Sequence, residues 1–280
     1  MSPEAEAEKE PAAFDAGQVH WRDAFRRVGW PEYVAVPVLL GGALAAELAF
    51  PKRTSPDWAG PILFDRALQH LLRSGSAAAR QRANVASGVL VGVSAAQLAV
   101  DAWLVAAGIR QNPDVAWQLT VIDAQAYALN EFVVSLTKQL AGRERPYGEL
   151  CQGEAGSGCA SKGRYQSFFS GHSSSTAAFA GLTCAHHQKL ALYGSFAADL
   201  GACLGAIGVT LATGMLRIAA DKHWASDVLV GHAVGFSSSY LLTWGLYYRE
   251  GAGSSSSALH GALLPIVGSG VWGLAWGGAL

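Results

Sequence analysis

Charge is what this chain lacks most. Asp, Glu, Lys and Arg make up 15% of its 280 residues, against about 25% in an ordinary soluble domain. Its 20 basic and 21 acidic residues leave no surplus of either sign, which excludes the basic footprint of a nucleic-acid binder. Cysteine is also scarce, and four residues exclude a disulfide-dense scaffold. No Cys/His spacing resembles a zinc site, and no internal repeat is visible. The first residues lack the short apolar core of a cleavable signal peptide. What the chain has instead is apolar surface: 51% of residues are hydrophobic and mean hydropathy is positive. That balance points to a membrane protein. Nine Trp and eight Tyr suit interfacial belts or the filling of a core.

Residues 1–20, rich in Ala and Glu, read as a disordered tail. The first apolar run, Val34 to Phe50, follows Arg22, Arg26 and Arg27 like a signal anchor, with Pro37 and Glu47 making it a marginal span. Residues 52–83 alternate charged and apolar positions. An amphipathic helix on the membrane surface and a solvated helix packed on a bundle both fit that pattern. Five stronger spans follow, near 84–109, 118–141, 171–188, 190–215 and 225–248, each close to the roughly 20 residues that cross a bilayer. Short connections make neighbouring spans antiparallel. Gly201-x3-Gly205 and Gly231-x3-Gly235 would let helix backbones approach closely. Residues 251–261 form a Gly/Ser-rich linker. For Ala262 to Leu280, apolar but dense in Gly, spanning, folding back and lying at the interface all remain open. The expected fold is therefore all-α, a polytopic membrane helical bundle of about six spans, with an amphipathic segment after the first. The divisions are a tail at 1–20, a membrane-embedded domain at 21–250 and a C-terminal segment at 251–280.

Ionisable residues inside spans usually face a polar interior, and Asp101, Asp123, Glu131 and Asp199 are expected to do so. Glu131, Lys138 and Arg145 are spaced by seven and would share a helical face, with Glu131 orienting Lys138, unless the helix ends near Gly142. Cys151 and Cys159 share one polar loop, where a disulfide and two free thiols are equally open. Cys184 and Cys203 lie in apolar runs and read as small core residues.

Three short patterns carry chemistry: Lys138-x6-Arg145-Pro146, Ser170-Gly171-His172 and Arg217-x5-His223-x3-Asp227. Phosphoryl transfer needs positive charge around the equatorial oxygens more than covalent help from the protein. Lys138, Arg145 and Arg217 supply it, and Arg adds a planar fork for two oxygens. Ser170 is a favoured N-cap at the start of an apolar helix, whose free N–H groups make an anion site. Gly171 admits a ligand close to the backbone, and His172 stands at the mouth as a general acid. His223 and Asp227 are four apart, so a helical face would let the carboxylate fix the imidazole tautomer and free the other nitrogen to attack. Each pattern alone is weak, because a lone Arg, a plain cap or a structural His–Asp pair is the commoner explanation. All three in this order would arise by accident in roughly one chain in 10^5 of this length.

These residues resemble the type 2 phosphatidic acid phosphatase family, which shares its core with vanadium haloperoxidases. The resemblance runs over about residues 84–248, with Phe169 where the family has proline and Leu216 where it has serine. It implies His223 as the nucleophile of a phosphohistidine, Asp227 as its orienter, and His172 as the acid that protonates the leaving group and then activates water. Lys138, Arg145 and Arg217 become the phosphate clamp, assisted by Ser170 and Gly171, with no metal and no cofactor. The implied activity is a membrane lipid phosphatase acting on phosphatidic acid, phosphatidylglycerol phosphate or a polyprenyl diphosphate. The alternatives are a vanadate-dependent haloperoxidase, which the several spans disfavour, and a non-catalytic protein binding anionic lipids, which would not need both histidines. The expected partners are the phosphorylated lipid and the bilayer, with no nucleic acid. The expected setting is a bacterial inner membrane with the site facing the periplasm. Thirteen Lys and Arg fall on the motif side against seven opposite, contrary to the positive-inside rule. Setting aside the three clamp residues and the six in 52–83 leaves four against seven, which restores the expected bias.

Overall fold

The computed structural model describes residues 18–51, 53–151, 159, 162–249, 262–268 and 271–277. The tail at 1–17 and the linker at 251–261 lie outside the described residues. Within 18–20, assigned to the tail from sequence, one residue is packed. Val19 is buried beside Trp21 and Phe25, and its carbonyl accepts from Asn112 Nδ2 at 2.9 Å.

Seven helices build the body. Helix α1 spans Trp30–Ala49 and the short α2 spans Asp65–Leu72. Helix α3, Ala77–Ala99, continues as a π-helical stretch over Val100–Ile109. Then come α4 (Pro113–Ala141), α5 (Gly171–Leu190), α6 (Phe196–Ala219) and α7 (Ala225–Thr243), the last ending in a π turn at Trp244–Tyr248. Their starts are written in side chains. Ser76, Asn112, Ser170 and Ser195 each accept from the backbone N–H three residues on, satisfying donors that have no partner inside the helix. Helix α4 stops at Gly142, whose left-handed φ of 53° suits a residue without a Cβ. The expected spans all appear as helices, their ends shifted by a few residues.

Helix α5 is the axis of the bundle. Almost all of its residues are buried, and it packs against α3, α4, α6 and α7, while α1 lies on α4. Two glycines set the closest approach. A Cβ at Gly235 would lie 2.1 Å from the Ser174 carbonyl oxygen, and one at Gly231 would lie 2.8 Å from that of Ser170. Gly201 and Gly205 face open space, so only the α7 pair performs the role expected of both.

Among the described residues, three helices are long and apolar enough to cross a membrane: Trp30–Ala49, Ala77–Ile109 and Phe196–Ala219. Helices α4, α5 and α7 have 29, 20 and 19 residues, the length a crossing needs, but carry more polar side chains. The acidic residues of these helices all find partners. Asp101 accepts from Gln97 and Tyr193 and faces His187, which also bonds Asp199. Asp123 pairs with His186. Glu131 accepts from Ser175 Oγ at 2.8 Å.

Four features refine the expectations or decide between alternatives that the sequence left open. The amphipathic segment condenses to α2, eight residues long, whose buried face includes Asp65 and Gln69 while Leu63 and Leu71 point outward. Cys184 and Cys203 are bonded to each other across α5 and α6 instead of standing as separate core residues. Cys151 and Cys159 also form a disulfide. Finally, Ala262–Gly268 and Val271–Gly277 form an antiparallel hairpin, with Leu264 opposite Ala275, so β structure is appended to an all-α body.

Candidate active site

Alternation of helix direction brings four termini to one end of the bundle: the C-terminal ends of α4 and α6 and the N-terminal ends of α5 and α7. Every predicted site residue lies there. Lys138 leaves the last turn of α4 and lodges against the first residue of α5, since a Cβ at Gly171 would sit 2.8 Å from its Nζ. Arg145 follows the end of α4 and donates to the Gln166 carbonyl at 3.3 Å. Arg217, in the last turn of α6, donates through Nη1 to Asn84 Oδ1 at 2.8 Å and Ser87 Oγ at 3.0 Å. These α3 side chains occupy one arm of the guanidinium. The Nε atoms of both arginines are buried without a protein partner.

His223 lies in the loop between α6 and α7 and is buried. Its Nδ1 is 2.7 Å from the Ser167 carbonyl oxygen. A carbonyl only accepts, so the proton sits on Nδ1 and the lone pair on Nε2. Burial, then the charges of Arg145, Arg217 and Lys138, hold the imidazole well below its usual value of 6.5, against a smaller opposing pull from the Ser167 bond. The site thus sets a neutral ring in the field of three cations. His172, in the first turn of α5, lies in the field of the same three cations, and its Nε2 comes within 3.9 Å of where a Cβ on Gly88 would stand. Lys222, over the Tyr147 ring at 4.8 Å, is a further nearby cation; burial and then Arg145 and Arg217 lower its pKa.

One expected contact takes a different form, and one cap is as expected. Asp227 does not hydrogen-bond His223; its Oδ2 is 3.8 Å from Nδ1. It accepts instead from Ser167 Oγ at 2.6 Å and from the Trp224 N–H at 2.9 Å. The carboxylate thus holds the residue whose carbonyl holds the imidazole. Ser170 Oγ is engaged by Ser173, at 2.9 Å from its hydroxyl and 3.4 Å from its N–H, as a cap.

Residues 120–250 match the family model of the PAP2 superfamily. They form a PAP2 superfamily domain. Neither the curated proteins nor the solved structures yield a match to the chain. All eight predicted site residues fall inside the PAP2 stretch, whereas Asn84 and Ser87, which hold Arg217, lie before it. A PAP2 domain carried on apolar helices fits a membrane phosphatase.

Sequence reasoning missed the layer behind the histidine. Arg143 is fully buried and bonds Asp227 at 2.5 Å and Asp65 at 2.6 Å. Its only signal was position, two residues before Arg145. Ser167 carried none, because its useful atom toward His223 is a backbone carbonyl.

Proposed function

We propose that the protein is an integral membrane phosphatase that removes phosphate from a lipid phosphomonoester or diphosphate through a phosphohistidine on His223. The observation that carries this reading is the 2.7 Å bond from His223 Nδ1 to the Ser167 carbonyl, which leaves Nε2 unprotonated amid three cations.

In the proposed reaction the substrate phosphoryl group enters among Lys138, Arg145 and Arg217. These spread its equatorial charge, aided by the N-terminus of α5 at Ser170 and Gly171. His223 Nε2 attacks phosphorus in line, a P–N bond forms, and the P–O bond to the leaving group breaks. His172 gives the leaving oxygen its proton. Asp227 offsets the positive charge on the phosphorylated ring from 3.8 Å. Water, deprotonated by His172, then attacks phosphorus, breaks the P–N bond and restores both histidines. The cycle is ping-pong.

Apolar helices around the site favour a lipid substrate over a soluble one. The reading includes six crossings by α1 and α3–α7 with the site facing the periplasm of a bacterial inner membrane. The Cys151–Cys159 disulfide supports the outward orientation, because disulfides persist in oxidising compartments. His223→Ala should abolish phosphate release from mixed phospholipid and polyprenyl diphosphate vesicles, together with the acid-labile label left on wild-type enzyme by a [32P]-substrate. Substantial turnover by that variant would overturn the assignment.

A further inference from the structure

Behind His223 lies a buried chain of charge that no motif announces. Asp65, Arg143 and Asp227 are each wholly shielded from solvent. Arg143 bridges the two carboxylates, with Nη2 on Asp65 Oδ2 and Nη1 on Asp227 Oδ1, and Nη1 also donates to Ser226 Oγ at 2.8 Å. Asp65 in turn accepts from the Ser226 N–H at 2.7 Å, the Ser226 hydroxyl at 2.8 Å and the Ile62 N–H at 2.9 Å. The Trp58 ring covers the guanidinium at 4.0 Å.

Three buried charges are an expensive way to hold a fold, since well-packed apolar residues of similar volume are often as stable or more so. Their arrangement gives them a different task. Arg143 takes Oδ1 of Asp227, which leaves Oδ2 to the Ser167 hydroxyl and the Trp224 N–H. Ser167 then holds His223 through its carbonyl. Removing the guanidinium frees Asp227 to rotate, and both holds on the nucleophile loosen together. Asp65 and Trp58 precede the PAP2 stretch, so the active site is completed by a segment outside it.

Resting on the phosphatase reading, we propose that Asp65 and Arg143 are positioning residues that, through Asp227 and Ser167, set the attack geometry of His223. They touch no substrate. Misplacing a reacting atom by about 1 Å costs on the order of 10^2-fold in rate, and that is the loss expected in kcat.

The test uses the full chain in detergent or vesicles. Asp65→Asn keeps the shape and removes the charge; Arg143→Lys keeps the charge and removes the bridge. Both should lower kcat, and the single-turnover rate of phosphohistidine formation per folded molecule, by about 10^2-fold. The KM for lipid and the inhibition constant of inorganic phosphate should stay within about threefold, because the clamp is untouched. A folded Asp65→Asn enzyme with kcat within about twofold of wild type overturns the proposal. So does misfolding of both variants, which assigns the chain of charge to stability alone. Absence of phosphohistidine on wild-type enzyme would instead remove the underlying reading, so the two failures are distinguishable.

Discussion

Gly171 is where the clamp meets the helix N-terminus, and Gly171→Ala tests that meeting directly. The new Cβ would lie 2.8 Å from Lys138 Nζ and 3.3 Å from Val134 Cγ1. Ordinary contact begins at 3.4 Å, so Nζ must retreat by about 0.6 Å. The long Lys side chain can make that move at little cost to the fold, and Ala is the better helix former. In the proposed reaction, however, the ammonium leaves the place where it would meet a phosphoryl oxygen. A charge-assisted hydrogen bond contributes about 1.5–3 kcal/mol, and each 1.36 kcal/mol is tenfold in rate. A partial loss therefore predicts a fall of roughly 10- to 100-fold in kcat/KM. The assay is phosphate release from vesicles, paired with the inhibition constant of vanadate and the thermal midpoint in detergent. Vanadate affinity should fall with kcat/KM while the midpoint holds. A variant with wild-type kcat/KM would show that Lys138 does not act at the α5 terminus, and the clamp would have to be redrawn.

Two further outcomes follow from the geometry. His223 has its pKa held well below 6.5 in the folded protein, whereas the unfolded chain has the ordinary value of about 6.5. The unfolded state takes up the proton first, so this group's contribution to stability is present above about 6.5 and is lost as pH falls through the folded value. The acid limb of kcat/KM, corrected for substrate ionisation followed by 31P NMR, should accordingly lie below pH 6.5, and a His223 limb at or above that value would contradict the burial argument. Gly235→Ala places a Cβ 2.1 Å from a backbone oxygen of α5 and should destabilise the bundle by about 1–3 kcal/mol or more. Gly205→Ala meets nothing within 4 Å and should leave stability unchanged or raise it by up to about 1 kcal/mol; equal unfolding midpoints for the two would refute the close α5–α7 approach.

The helices, and the gathering of the charged motif residues at one end of them, were legible because they depend on local pattern. Runs of apolar residues mark helices wherever they pack, and the three motifs fix residue types at the ends of those helices. What failed were inferences that extended helical periodicity past a helix end. His223 and Asp227 are four apart, yet α7 begins at Ala225, and Trp224 before it is extended at φ −71° and ψ 157°. His223 therefore leaves the face that Asp227 occupies and turns to Ser167. At Gly142 the alternative that the sequence left open is the one realised: α4 ends there in a left-handed conformation, so Arg145 does not continue the Glu131–Lys138 stripe, and Glu131 bonds Ser175 on α5. Arg143 and Asp65 were invisible for another reason. Their partners are 84 and 78 residues away from Arg143 in the chain, and no spacing rule reaches that far.

Polarity in this bundle tracks burial against other helices. Helix α5 carries serine and threonine along its first turns and a histidine pair near its end, and nearly all of it is buried. Its neighbours α4 and α7 present polar side chains to it, as in the Ser174–Asn130, Ser175–Glu131 and Gln188–Tyr240 bonds. Helices α1 and α6 turn Leu40, Leu44, Leu48, Leu204 and Leu211 outward, and these are among the helices that read as apolar spans. A hydropathy window measures the average around a helix, whereas the bilayer sees only the outer face. Long helices enclosed by others can thus cross while appearing too polar. The exposed tryptophans follow the same logic. Trp30, Trp103, Trp117 and Trp244 lie toward the end of the bundle away from His223, where an aromatic belt would meet the opposite interface. Trp224, buried at the catalytic end, packs with Trp58 around Arg143 instead. The same residue type is exposed at one end of the bundle and shields the buried charged chain at the other.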